Sequence, residues 1–531
     1  MCKINYSKNV NKASKIVKKL GKSRINNKSF SEFMTVEGVD YWELYAAELS
    51  HRHINNILGS KEIYSQPLTK LLLRKINIFR LNLSKLKNYI NFKINKNEGI
   101  DNLKKLKYKP IIFLAFSKHL YRDVLIPISK DQLLQKKDKI IIGQDNINSF
   151  DLDQSSFFIN PWAVWDKETK INYIRLKKIF SKLKEQFDKS NFIEQSIPFE
   201  YNDKKKYFRF MFDDLFDEHI PNILFHVVTA KKFLKTFPPS ILISPDVSDP
   251  RSRVYSMLCR TLNIPSFDVQ FGLLGSESVE WQYLISDYVL VWGEKAKNYM
   301  LSHGVPKDKI IITGSPRHDF KYLQSKILID CKKKELNIPP NKSIFVLAST
   351  FNDKHHSNFA NPGILNSMKA AIFNSVLRCP NIVLIIKPHP FENINDTKKY
   401  IKELPNKIIY VDPKSDIREL IHFSDAFLSF GSTTTIDALI ADKTVISPIF
   451  PGWVFGEYIN EISHFQPESE SEIYQIFKSF NGKFFKSKQY LSNSSIKSSL
   501  KKLIYKYDNS SKDPRNSSTR RISKIIMHHI K

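Results

Sequence analysis

Four cysteines in 531 residues (Cys2, Cys259, Cys331 and Cys379) lie far apart in the chain. None has the paired spacing of a disulfide framework or a zinc site, and the pattern suits a reducing compartment. Acids are scarce as well. Asp and Glu number 53 against 83 Lys and Arg, a formal net charge of +30. Such an excess favours anionic partners, although Lys with many Asn and Ile is also the codon signature of an A/T-rich genome. There is no helix-turn-helix, zinc-finger or RNP-type pattern, so a nucleic-acid-binding protein is an outside alternative resting on charge alone, and nucleic acid is not expected as a partner. No run approaches the ~20 apolar residues of a spanning helix, and the N-terminus lacks the apolar stretch of a secretory signal. The expectation is a cytoplasmic protein, or one resting peripherally on the inner face of the plasma membrane. Asp151-Leu152-Asp153 is a D-x-D, but one such triplet is common by chance, and no metal site is expected.

Hydrophobic residues make up 42% of the chain, enough for substantial cores. Residues 1–30 carry basic side chains and no acid, and read as a mobile or surface-lying tail. A helix is expected over residues 39–58. Residues 63–97 again lack acids, and Leu68, Leu72, Ile76, Phe79, Leu83, Leu86, Ile90 and Ile94 step by three and four. This is an apolar stripe on a basic helix. It suits packing against the next domain, or else an anionic membrane surface.

From Lys109 onward, strands alternate with helices. Strands are expected at 110–116, 139–142, 241–244, 266–271 and 288–292, with another ending at Thr313. A second series follows at 343–347, 382–386, 407–411, 426–430 and 443–447. Such βαβ series build parallel sheets with helices on both faces. The fold expected is α/β, with two Rossmann-like domains facing across a cleft. The division is 1–104 basic helical extension, 105–314 first domain, 315–480 second domain, and 481–531 C-terminal helices packing back on the first domain.

The chemistry gathers where strands end, because ligands of open α/β sheets sit beyond the carboxyl ends of strands. One strand runs into Lys387-Pro388-His389-Pro390, the other into Gly431-Ser432-Thr433-Thr434. Gly431 admits close backbone approach. The three hydroxyls stand at a helix start, where N–H groups and the dipole favour an anion. Lys387 and His389 add a cation and a donor on a proline-stiffened loop. Together they read as a phosphate or pyrophosphate site; alone, the Ser/Thr run would be an N-cap, with Ser432 the natural cap. Gly314, Ser315 and Arg317 follow another strand. Arg317 suits a diphosphate, while Gly-Ser-Pro is also ordinary turn chemistry. Gln270 and Gly272 lie in a third loop. His119 and Asp123 follow the first strand, where His119 has the intrinsic pKa of a general base; a lone histidine is equally a core or surface residue.

The ordered motifs I-P-S-F-D-V-Q-F-G, S-D-Y-V-L-V-W-G-E, V-P-K-D-K-I-I-I-T-G-S-P-R-H-D, K-P-H-P and S-D-A-F-L-S-F-G-S-T-T-T-I-D-A resemble the GT-B transferases of bacterial surface polysaccharides. These include capsule polysaccharide transferases and CDP-glycerol glycerophosphotransferase-like proteins. The nucleotide half also resembles UDP-N-acetylglucosamine 2-epimerases. The resemblance spans roughly residues 241–451, under half the chain. It implies donor phosphates on Lys387, His389 and Gly431 to Thr434, and ribose hydroxyls on Asp437, where relatives carry Glu. It implies a nucleotide-activated sugar as donor substrate, no further cofactor, and a glycan or lipid-linked acceptor. Where many relatives read Q-H-G this chain has Gln270-Phe271-Gly272. Phenylalanine moves no proton, so the acceptor must be activated by another residue, with His119 and Asp123 the candidates. The activity implied is sugar transfer, with CDP-polyol phosphate transfer or 2-epimerisation as alternatives on the same fold.

Overall fold

The computed structural model describes residues 2–58, 89–90, 100–144, 152–197, 205–275, 278–319, 331, 333–350, 362–389, 392, 407–453, 461–480, 491–506 and 514–530. They form two compact bodies. The first gathers 9–271, 278–319 and 505–531; the second gathers 320–504 with 272–277 and 1–8.

The first body is built on seven parallel strands. They are β1 (Ile111–Leu114), β2 (Lys139–Ile142), β3 (Ser156–Ile159), β4 (Ile241–Ser244), β5 (Ser266–Val269), β6 (Tyr288–Val291) and β7 (Ile310–Ile312). Their order is β7-β6-β5-β4-β1-β2-β3. The chain starts mid-sheet, winds out to β3, then returns to β4 and winds the other way. Phe113 pairs with Ile141 on one side and Ile243 on the other. Strands β1, β2, β4 and β5 are buried at every position, which is why they read as unbroken rather than alternating runs. Strand β3 was not expected from sequence, since its first two residues are only half-buried and it lies at the sheet edge.

The second body repeats the scheme with β8 (Ser343–Ala348), β9 (Ile382–Lys387), β10 (Ile408–Tyr410), β11 (Ala426–Ser429) and β12 (Thr444–Ile446). The order is β10-β9-β8-β11-β12, all parallel. Phe345, Leu384 and Leu428 of the sheet share a core with Met368 and Ile372 of helix Pro362–Arg378 and Phe477 of helix Glu470–Ser479.

The N-terminal segment corrects the sequence reading. It is a helix, Cys2–Lys22, not a tail. Ala13, Ile16, Val17 and Leu20 are buried, at the i, i+3, i+4, i+7 spacing of one helix face, which flanking lysines obscure. Phe30 follows behind a Ser29/Glu32 capping box and stacks among Trp42, Phe192 and Phe212. Helix Tyr41–Leu58 comes next. The described residues from 9 to 104 therefore belong to the first body and share its core, whereas a separate extension over 1–104 was expected. Residues 63–97 lie outside the described residues, apart from Tyr89 and Ile90. The Tyr89 ring packs on Trp162 at 5.2 Å between centroids.

At the other end, helix Asn493–Leu503 stays with the second body and helix Ser518–His529 joins the first. Asp319 accepts from the N–H groups of Ser518 (2.9 Å) and Thr519 (2.6 Å) at that helix's start, and Arg521 donates to Thr313 O at 2.7 Å. Among the described residues no helix is long and apolar enough to cross a membrane.

Candidate functional site

In each sheet the winding direction reverses once, between β1 and β4 and between β8 and β11. Outside the carboxyl ends of the strands at such a reversal, the flanking loops part and leave a crevice for a ligand.

At the second body's rim, β11 is followed by Phe430 and turns through Gly431 at φ +101°, a left-handed conformation that a side chain resists. Ser432 N–H returns to Ser429 Oγ at 2.9 Å. Ser432 Oγ accepts from Thr434 N–H at 3.3 Å, but the residue that precedes helix Thr434–Ile440 is Thr433, in helical conformation and without a side-chain cap bond, so the helix start is not the Ser432 cap that the sequence suggests. Thr434 Oγ1 donates to Ser432 Oγ at 2.9 Å, and Thr433 Oγ1 accepts from Leu273 N–H at 3.4 Å. The hydroxyl run is thus folded on itself and onto the loop containing Gly272, which lies in the same body. Two patches distant in sequence meet here. Asp437 sits below them, fully buried in the first turn of helix Thr434–Ile440. The resemblance implied a carboxylate reaching ribose; in this arrangement Asp437 has no exposed surface.

Two strands over, on the far side of β8, β9 delivers Lys387 and His389, both half-buried. Lys387 Nζ reaches Pro388 O at 3.2 Å. The His389 backbone N–H donates to Glu392 Oε2 at 3.1 Å, and Glu392 N–H returns to His389 O at 2.9 Å. Sequence reasoning passed over Glu392 and its buried partner Lys369, 2.6 Å away. The signals were an acid three residues after His389, and one lysine in an otherwise apolar helical run.

At the first body's rim, three candidates that the sequence gave different roles come together. His119 and Asp123 follow β1, where the chain makes a wide π-helical turn, Tyr121–Leu125. Arg317 follows β7 and donates to Asp123 Oδ2 at 3.3 Å, while Arg122 Nε holds Asp123 Oδ1 at 2.8 Å. His119 keeps an exposed face with Ser117 Oγ 3.3 Å from Nδ1. The surrounding protein withdraws water from the ring and lowers its pKa below the ordinary imidazole value. Asp123 opposes that shift, and Arg122 and Arg317 reinforce it. Replacing Arg317 with Met should therefore raise the His119 pKa, with its proton NMR titration midpoint moving upward. An unmoved midpoint would show that Arg317 does not act on His119.

The neighbours of Arg317 are structural. Gly314 lies at φ +84°, where a Cβ would stand 2.4 Å from Ser518 Oγ and 2.8 Å from Tyr505 O. It lets the C-terminal segment close on the strand end. Ser315 is buried and hydrogen-bonds His318 Nδ1 at 2.7 Å. These three residues belong to the first body, so the expected boundary at 314–315 moves to just after Asp319. Gln270 is buried too, its Oε1 accepting from Trp292 N–H at 2.8 Å, and the Phe271 ring lies 5.9 Å from that of Trp281. Asp153 of the D-x-D pairs with fully buried Lys139 at 2.6 Å. Burial opposes its ionisation, but hydrogen bonds from Lys139, Ser156 and Ser155 outweigh burial and hold its pKa low. Among the described residues no group of three or more His, Cys, Asp or Glu is arranged to hold a metal ion.

The same rim contains a polar network with no counterpart in the sequence reading. Arg251 grips Asp249 (Nη2–Oδ2 2.6 Å), donates to Gln144 Oε1 at 2.7 Å and reaches Phe116 O at 3.3 Å. One guanidinium thereby ties the loops after β1, β2 and β4.

Residues 274–449, about a third of the chain, match the family described as CDP-glycerol:poly(glycerophosphate) glycerophosphotransferase. No curated protein matches. Among solved structures the chain is similar to a glycosyltransferase from Rickettsia africae (14% identity, TM-score 0.48, 80% of this chain and 99% of that one). It is similar also to a variant of the wall teichoic acid polymerase TagF (13%, 0.44, 86% and 98%). A third is the UDP-GlcNAc 2-epimerase of Neisseria meningitidis bound to UDP-GlcNAc (13%, 0.43, 74% and 98%). Two α/β bodies with parallel, doubly wound sheets in one chain are the make-up of the GT-B fold.

Proposed function

We propose that this chain is a transferase that moves a sugar from a nucleotide-activated donor to a glycan or lipid-linked acceptor in cell-surface polysaccharide biosynthesis. The observation that carries the reading is the second body's rim. Lys387 and His389 follow β9, and the glycine turn and hydroxyl-bearing loop follow β11, at the carboxyl ends of strands on either side of β8; this set of groups supports a phosphate site. In this reading Lys387, His389, Gly431, Ser432, Thr433 and Thr434 hold the donor's phosphates. They stabilise the charge that develops as the sugar's anomeric C–O bond breaks and the nucleoside diphosphate leaves. His119, with Asp123 beside it, takes the proton from the acceptor hydroxyl as its oxygen attacks the anomeric carbon. A lowered pKa keeps His119 neutral near pH 7, as a base must be. Arg317, paired with Asp123, is assigned to the base rather than to the donor.

The match over 274–449 favours a second reading, transfer of a polyol phosphate from a CDP-activated donor. There the acceptor oxygen attacks phosphorus and CMP leaves. The leaving group separates the two. Incubation with UDP-sugars and with CDP-glycerol, each with and without a glycan acceptor, should release a nucleoside diphosphate under the first reading and CMP under the second. Epimerised sugar formed without acceptor would overturn both. In the first reading Lys387 and His389 take the part a metal would play at the leaving diphosphate, so turnover should survive EDTA.

The acceptor class suggests an anionic membrane face as partner, with residues 63–97 as the contact. Replacing Lys70, Arg74, Lys85 and Lys93 with Gln should weaken binding to phosphatidylglycerol vesicles. At about 1 kcal/mol per basic residue near the surface, the loss should be several hundredfold. Equal vesicle binding would assign the stripe to protein packing instead.

A further inference from the structure

We propose that the buried Lys369–Glu392 ion pair is the positioning element of the donor rim, holding the carboxyl ends of two adjacent strands in register for a nucleotide phosphate. The inference rests on the reading above and deepens it. Neither residue was singled out by the sequence, and neither is assigned a part in the transfer step.

The geometry is specific. Glu392 Oε1 accepts from Lys369 Nζ at 2.6 Å and from Ser349 Oγ at 2.8 Å, while Oε2 accepts from the His389 N–H at 3.1 Å. Lys369 Nζ also donates to Thr350 O at 2.9 Å. Ser349 and Thr350 leave the end of β8, and His389 leaves the end of β9. Ser349 N–H continues the ladder to Lys387 O at 3.0 Å. One carboxylate and one ammonium thus fasten the loop after β8 to the loop after β9, and both to helix Pro362–Arg378, which carries Lys369.

Stability alone does not account for the pair. The side chains are 10% and 4% exposed. Lys369 sits in a helix whose neighbours Leu365, Met368, Ala371 and Ile372 belong to the apolar core. Desolvating two charges largely cancels their attraction, so an apolar pair of similar volume usually holds a fold as well or better. An apolar pair cannot accept the His389 N–H, bind Ser349 Oγ and bridge to Thr350 O at once. The charge balance fits a phosphate site as well. Matched by Lys369, Glu392 orients the loop without adding net negative charge where an anion is to bind.

The test compares wild type, the apolar swap Lys369→Met/Glu392→Met, and Glu392→Gln, which keeps a carbonyl acceptor. Melting temperature, affinity for UDP and for CMP by calorimetric titration, and hydrogen exchange of the His389 amide are measured on each. A positioning role predicts that the swap melts near wild type yet binds its nucleotide about a hundredfold more weakly, the scale of a rim displaced by ~1 Å. It also predicts that His389 exchanges faster in the swap, and that Glu392→Gln recovers most of the affinity. Wild-type affinity in the swap, or unchanged His389 exchange, overturns the proposal. Should the swap not fold, Ser349→Ala, which removes one Glu392 contact to the loop after β8 and leaves both charges in place, takes over: wild-type-like melting with weakened nucleotide affinity and faster His389 exchange supports the proposal, and full affinity with unaltered exchange sinks it. If wild type itself binds neither UDP nor CMP, the transferase reading fails on that arm, and His389 exchange still decides whether the pair orders the loop.

Discussion

Arg253→Met is expected to destabilise the first body by more than about 4 kcal/mol, a large share of a typical domain's stability. Arg253 is 2% exposed. Its guanidinium donates to four backbone carbonyls: Leu44 O at 3.0 Å, Glu43 O at 2.8 Å, Val247 O at 2.9 Å and Tyr283 O at 2.9 Å. They come from helix Tyr41–Leu58, the loop after β4 and the segment before β6. Methionine fills similar volume but supplies no donor, and each stranded carbonyl costs about 1–3 kcal/mol. The effect should also depend on pH. Burial pushes the Asp268 carboxyl up to about 7, and Arg253 is among the groups that hold it down. A raised folded pKa means the folded state binds more protons than the unfolded, so this contribution is present at low pH and is lost as pH rises toward 7. Without Arg253 the ionised carboxylate is still less tolerated, and the damage should be greater at about pH 8.5 than at about pH 5.5. Chemical denaturation at both pH values checks it. Wild-type stability in the variant would show that water or a rearranged backbone satisfies those carbonyls.

His389→Ala is expected to leave the melting temperature within a few degrees of wild type and to lower kcat/KM for the nucleotide donor by ten- to a hundredfold or more. The backbone bonds that shape the loop, His389 N–H to Glu392 and Glu392 N–H to His389 O, do not use the imidazole. The loop should therefore keep its course when the ring is removed. The ring is half-buried at the rim, beside the end of β9. A hydrogen bond to a charged phosphate is worth about 1.5–3 kcal/mol, and its loss from the transition state appears in kcat/KM by that amount. Donor kinetics and thermal melting on the same preparation separate the cases. Normal kinetics would remove His389 from the site. A collapsed melting temperature with normal kinetics in the folded fraction would make it structural.

The two parallel sheets were legible in the sequence because a strand covered on both faces must be apolar along its whole length. Ile111–Leu114, Ile241–Ser244, Ile382–Lys387 and Ala426–Ser429 could hardly be read otherwise. The rim residues Lys387, His389 and Gly431 were legible for the same reason, since polar residues that end such runs must lie at the strands' carboxyl ends. The helix Cys2–Lys22 was not, because its buried apolar positions Ala13, Ile16, Val17 and Leu20 are interleaved with lysines, most of them exposed.

What one-dimensional order could not supply is which loop ends meet. Arg317 reads as a diphosphate ligand until β7 brings it to Asp123, and Gly314 reads as a ligand-approach glycine until Ser518 closes over it. Asp437 reads as a ribose ligand until its helix buries it. In each case a side chain's chemistry was evident from its type, while its partner lay about 200 residues away in the chain or the group was hidden by packing. Composition and local periodicity determined that the chain makes two doubly wound α/β bodies with cationic strand ends. Only tertiary packing decided which polar groups meet one another, because a buried polar group must find a partner and takes whichever one the fold brings within reach.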